Sequence, residues 1–391
     1  MASQQARQFL DRMHENVWEG MDLTPRPPSA ADDAEAERII EDLLRRQAAL
    51  VSSEELERLR EGLYENEQRL RGMTVSKYEN ARTMQSLHKL ADSLERAGRI
   101  AGWRVPERPL LGTLPTGRVN VITLLVPGTG EHLVLFESEF SGFTYLAAKA
   151  VAEVLPFRRT PDGGAAFELE PAKVRERLER HPESARRFGE LVAAYLETGV
   201  PYNAPQYMQD RVRNTWAQML CDSVQLFALG HEYGHILKGH LGRRRPAVWL
   251  GGPDLADPEE LAWNNQEEIE ADAQGLTLSI AAGQSRGHDV PIGFLGADFY
   301  FTMTHVIERA INVLRHGHEN TSAEAGTHPP SVLRRMILRH VLSRHSTPQI
   351  EAAIGLGENM EQAVEMLWHD LRPRLLAAHR AGLRPLGQWQ D

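Results

Sequence analysis

Residues 228–242, ALGHEYGHILKGHLG, place His231, Glu232 and His235 in the order His-Glu-x-x-His and add His240 five positions further on. Two side chains four apart on an α-helix lie about 40° from one another. Both imidazoles can therefore reach one metal ion, with Glu232 beside them where it can contact a metal-bound water. The preceding residues, WAQMLCDSVQLFAL, are apolar and helix-forming, so the motif belongs to a helix that enters a core. A catalytic zinc takes three protein ligands and keeps its fourth position for water. Downstream, in NNQEEIEADAQGL at 264–276, Glu268 and Asp272 are i and i+4 of one helix and share a face, whereas Glu270 lies about 200° round the axis from Glu268. This spacing assigns Glu268 as the third ligand. Asp272 becomes the carboxylate that accepts a ring N–H from a ligating histidine and fixes its tautomer. His240, five residues after His235, is rotated off the ligand face, and a structural or surface role is expected of it.

A third stretch joins these two. His231-Glu232-x-x-His235, then Glu268-x-x-Ala271-Asp272, then THPPSVLRR with His328, Pro329 and Arg334, resemble the gluzincin pattern of the HtpX and CAAX prenyl endopeptidase family over about residues 205–340. The resemblance implies a zincin-like metallopeptidase with one Zn2+ per chain on His231, His235 and Glu268, and with Glu232 as general base. It also implies His328 as a donor to the tetrahedral oxyanion and Arg334 as a supporting residue behind the ligands. Many of those enzymes carry transmembrane helices around the catalytic part. Here the best apolar stretch, PIGFLGADFYFTMTHVIERA, contains Asp298 and His305, so a soluble form is expected. The chain is also similar to ImmA/IrrE-like peptidases, in which an element like Gly239-His240 follows the motif; an Asn commonly stands there where this chain has Asp272.

Two other functions stand beside the peptidase. One is an interaction protein whose zinc is structural, which requires a fourth ligand such as His240. The other is a metal-dependent hydrolase of a non-peptide bond. Glu232 discriminates against the first, because a structural site has no use for a carboxylate beside the open position.

The resemblance implies a protein or peptide substrate, and composition argues against other partners. With 391 residues and 41% hydrophobic content, the chain can bury a large core and divide into two or three units. A net charge of −10 argues against nucleic acid, whose phosphates need clustered Lys and Arg. Arg243 to Arg245 is read as a solvated loop. The single Cys221 excludes an intrachain disulfide framework, and MASQQARQFLDRMHENVWEG has no apolar signal core, so a cytoplasmic protein is expected.

The elements that must position the site are mostly helical. DLTPRPPSAADD at 22–33 reads as a connector; Ser52 and Glu55 form a capping box ahead of Leu56, Leu59, Leu63 and Leu70; Leu87, Leu90, Ala91 and Leu94 share one side of a further helix. RVNVITLLVPGTGEHLVLFESEF, 118–140, reads as a hairpin about Pro127–Gly130, with a sheet edge against which an extended peptide could lie. A long helix from about 206 to 239 carries the motif. The expected fold is therefore α+β and mostly helical, a zincin-like domain at 103–345 with a small antiparallel sheet. A helical N-terminal unit at 1–102 and a helical extension at 346–391 flank it. The N-terminal unit is expected to recognise a protein partner, so that a chain starting near Gly102 would keep its zinc; the alternative is that these helices close the core.

Overall fold

The computed structural model describes residues 3–20, 52–71, 76–105, 107–115, 119–161, 164–243, 265–319 and 329–386, with scattered positions between 34 and 48. The connector at 22–33 and His328 lie outside the described residues. The chain is α+β and mostly helical. Helices α1 (Gln4–Gly20), α2 (Ser53–Arg71) and α3 (Ala81–Ile100) precede strands β1 (Leu110–Leu114), β2 (Val121–Leu125) and β3 (His132–Glu137). Helix α4 (Phe140–Val154), a short hairpin β4 (Phe157–Arg159) and β5 (Ala165–Phe167), α5 (Pro171–Arg180) and α6 (Pro182–Thr198) follow. The motif helix α7 (Arg211–Lys238), then α8 (Asn265–Ser285), α9 (Val290–His316), α10 (Ser331–Ser343) and α11 (Pro348–Arg380) complete it.

The hairpin read from the sequence is β2 and β3, closed by Val126 N–H on Glu131 O at 2.8 Å, with Gly128 and Gly130 at φ of 76° and 72°. Only residues without a Cβ adopt that left-handed backbone at little cost. The sheet is not purely antiparallel, however. Its order is β1-β3-β2, and β1 runs parallel to β3. LLGTL and HLVLFE are buried on both faces, so neither shows the polar alternation that marks a strand in sequence. Strands β4 and β5, with three residues each, are too short to display a period in sequence.

One face of the three-stranded sheet carries Leu114, Leu133 and Leu135 against Ala6, Leu10 and Met13 of α1. The other face carries Leu111, Val121, Val134 and Phe136 into the main core, which also takes Leu229 and Tyr233 of α7. Helix α3 is part of that core. Asn80 caps it, accepting from the Arg82 and Thr83 N–H groups, and Met84, Leu87, Leu90, Ala91 and Leu94 all pack inside. Tyr233 in the motif helix donates its hydroxyl to Glu95 of α3 at 2.9 Å. Of the two roles weighed for the N-terminal helices, this packing favours closure of the core. A chain starting at Gly102 is accordingly expected to expose the apolar faces left by α1 and α3 and to aggregate. Sedimentation and metal analysis of that truncation check it: a soluble, metal-loaded product would restore the recognition-unit reading. Helix α11 shares the core as well, through Met360, Leu367, Trp368 and Leu371.

What brings the two site helices together is the absence of side chains. Gly230 and Gly234 of α7 meet Ala271 and Gly275 of α8. A Cβ on Gly234 would lie 2.7 Å from Ala271 O, and one on Gly275 would lie 2.6 Å from the His231 backbone N. The backbones touch, so residues on the facing sides, the two histidines and Glu268, are forced within reach of one another.

Candidate metal centre

The motif helix starts at Arg211, later than its apolar pattern suggests, because Asp210 caps it by accepting from the Arg213 N–H at 3.0 Å. It ends at Gly239, at φ 68°, whose N–H bonds back to His235 O and Ile236 O. Between these ends it presents His231 and His235 to α8 and Glu232 to Thr123 of β2. Donor atoms of His231, His235 and Glu268 all lie within 4.8 Å of one another, and all three residues sit in the protein interior. The His231 and His235 Nε2 atoms are 3.0 Å apart; Glu268 Oε2 is 3.6 Å from the former and Oε1 3.5 Å from the latter. A tetrahedral ion bound at about 2.0–2.1 Å requires donors about 3.3 Å apart, which these separations bracket. Two imidazoles and one carboxylate with no thiolate are the donor set of a hydrolytic zinc site. The residues fit the ion.

The surroundings set the ring tautomer that ligation requires. His231 Nδ1 lies 2.9 Å from Asp272 Oδ1, so the Nδ1–H donates to the carboxylate and Nε2 keeps its lone pair for the site. Burial alone would pull the His231 imidazole down, but the hydrogen bond and charge of Asp272 raise it above its ordinary value. Burial pushes Asp272 up in turn, and Arg334 outweighs it, leaving the carboxyl below its usual range. Arg334 grips Asp272 with Nε at 2.8 Å and Nη2 at 2.6 Å, and its Nη1 lies 3.1 Å from Glu268 Oε2. Its guanidinium packs on the Phe301 ring at 4.8 Å. The arginine of the third motif is thus the counter-charge of both acidic residues. Burial, together with His231 and His240, holds His235 far below the ordinary histidine range, so its imidazole is neutral.

His240 stands outside the donor set, as its spacing leads one to expect, and of the two roles weighed for it the structural one applies. It is buried, not at the surface, because Gly239 ends the helix and the 3-10 turn His240–Arg243 folds the chain back. The rotation of 100° per residue no longer applies beyond that glycine. His240 Nδ1 lies 2.9 Å from His235 Nδ1, and its Nε2 lies 3.5 Å from Glu270 Oε2. With Nε2 of His235 turned to the site, Nδ1 carries the proton and donates to His240. This pairing leaves His240 outside the donor set, as Glu270 is, and the structural-zinc alternative loses the fourth ligand it named. Replacing His240 by alanine is expected to weaken metal affinity by about 10 to 100-fold, the usual effect of losing such a partner. Competition with a calibrated chelator measures it, and an unchanged affinity would make His240 a bystander.

Glu232 is 4% exposed and its Oε2 accepts a hydrogen bond from Thr123 Oγ1 of β2 at 2.6 Å. Nothing in the sequence singled out Thr123. Tyr300 of α9 was also missed: its ring packs on Phe227 at 5.7 Å, one turn before His231, and on Phe301 at 5.2 Å. Burial raises its phenol pKa, with Arg334, Glu232, Asp272 and Glu268 in electrostatic reach. His328, assigned to the oxyanion, lies outside the described residues.

No protein-family model matches the chain, and neither curated proteins nor solved structures gave a match. No helix among the described residues is long and apolar enough to cross a membrane.

Proposed function

We propose that this chain is a zinc-dependent endopeptidase of gluzincin type that acts on protein or peptide in the cytoplasm. One observation supports it above the others: His231, His235 and Glu268 converge within 4.8 Å, and a further carboxylate, Glu232, next to His231 in the chain and bonded to Thr123, is not one of that group. The likeness of the three motifs to the HtpX and CAAX prenyl endopeptidase pattern points the same way. A bound zinc ion would supply a Lewis acid and bring the pKa of water to about 7. Glu232 takes the proton of the attacking water and returns it to the leaving amine. Asp272 and Arg334 hold His231 and Glu268 in place, and His240 holds His235. The substrate main chain lies along β2, an outer strand of the sheet, by main-chain hydrogen bonds. Tyr300 and His328 are the two candidates to donate to the oxyanion.

The test is a search for new N-termini in a denatured proteome incubated with the purified protein. Cleavage that a chelator abolishes and added zinc restores supports the reading. A proteome unchanged by the zinc-loaded protein would overturn it.

A further inference from the structure

We infer that Thr123 is the positioning residue of Glu232, so that the strand on which substrate is read also aims the base. The inference rests on the peptidase reading and adds to it a residue on a different element. Along β2 the side chains alternate: Val121 and Leu125 pack into the main core, while Ile122 and Leu124 pack toward α1. Thr123 belongs to the first row, between two aliphatic neighbours, and is 1% exposed. A hydroxyl buried in an apolar row must find a partner within the protein. Its partner is Glu232 Oε2 at 2.6 Å, across to α7.

The geometry makes Thr123 the fixed member of the pair. Its backbone is paired in the ladder opposite Val134, and a β-branched side chain has restricted χ1 freedom. Glu232 reaches the same point through three side-chain torsions from a helix. A carboxylate has about four lone-pair sites, so one hydroxyl orients it and leaves it able to accept a proton. Helix α7 therefore fixes where the base begins and β2 fixes where it ends. A peptide hydrogen-bonded to β2 shares that reference, so scissile carbonyl and base are set relative to one strand. Misplacing a catalytic group by about 1 Å can lower a rate about 100-fold.

A merely structural Thr123 would act on folding or metal binding, and valine, its isostere, would be at home in this aliphatic row. A positioning Thr123 acts on turnover alone. The experiment compares wild type, Glu232→Gln, Thr123→Val and Thr123→Ser, each full-length and zinc-loaded, on casein as an unfolded substrate and on one peptide derived from its cleavage site. We expect Thr123→Val to keep its zinc and a KM near that of wild type while kcat falls by about 10 to 100-fold. Thr123→Ser, which restores the hydroxyl, should recover to within a few-fold of wild type. Should the valine variant fail to fold, Thr123→Ala carries the same comparison. Wild-type kcat in Thr123→Val, a loss shared with zinc content, or failure of serine to rescue would overturn the inference while leaving the peptidase reading intact. Absence of Glu232-dependent cleavage by the wild type would overturn both.

Discussion

Glu232→Gln is expected to retain its zinc and to lose about 100 to 10,000-fold in kcat, the range over which a positioned general base contributes. The amide matches the carboxylate in shape, and its carbonyl oxygen can accept the Thr123 hydroxyl that Glu232 Oε2 accepts now. Glu232 is outside the donor set, so metal content should not change. What the amide cannot do is take a proton from water at neutral pH. Folding and metal loading thus serve as internal controls for a purely chemical loss. Turnover within about 10-fold of wild type would remove Glu232 from the mechanism.

Arg334→Met should have the largest effect on stability. The side chain is buried, and its charge stands against two buried carboxylates, Asp272 at 2.6 Å and Glu268 at 3.1 Å. Methionine fills much of the volume but leaves both acids without their cation. Breaking a buried pair in this way typically costs about 3–5 kcal/mol. The loss should be greatest in the metal-free protein and smaller with zinc present, because the ion's charge then faces Glu268. Urea unfolding of both forms measures it. A loss below about 1 kcal/mol in the metal-free protein would mean that Arg334 does not hold the acidic pair.

The parts of this site that were legible in the sequence are those governed by helical phase. His231 with His235, and Glu268 with Asp272, are each four apart on one helix, and the structure puts each pair on one face. The capping box at Ser52 and Glu55 and the hairpin about Pro127–Gly130 are local chemistry, and both are present. What escaped depends on contacts between distant segments. Strand β1 pairs in parallel with β3, its neighbour in the sheet though not in sequence, and its five residues carry no polar alternation. His240 is off the donor set as its spacing indicated, but its contact with His235 depends on the turn after Gly239, where the helix stops, and has no signature in helical phase. Gly230, Gly234 and Gly275 look like weak points in helices when read singly. Only the crossing of α7 with α8 shows that a side chain at any of them would part the ligands. Thr123 and Glu232 are more than a hundred residues apart, and no local pattern links a strand threonine to a helix glutamate. The same holds for the Asp298–Arg339 pair at 2.6 Å, which ties α9 to α10 and lies over Gly357 of α11.

On the proposed reading, His231, His235 and Glu268 together hold one metal ion. The most direct test of that reading is the metal content of the purified protein beside two variants on the same helix, Glu268→Ala and Glu270→Ala. The Glu268 carboxylate oxygens lie 3.6 and 3.5 Å from the His231 and His235 Nε2 atoms, whereas Glu270 is partly exposed and faces His240. About one zinc per chain is expected in the wild type and in Glu270→Ala, and almost none in Glu268→Ala. A wild type that holds no metal, or a Glu268→Ala protein as fully loaded as the wild type, would contradict it.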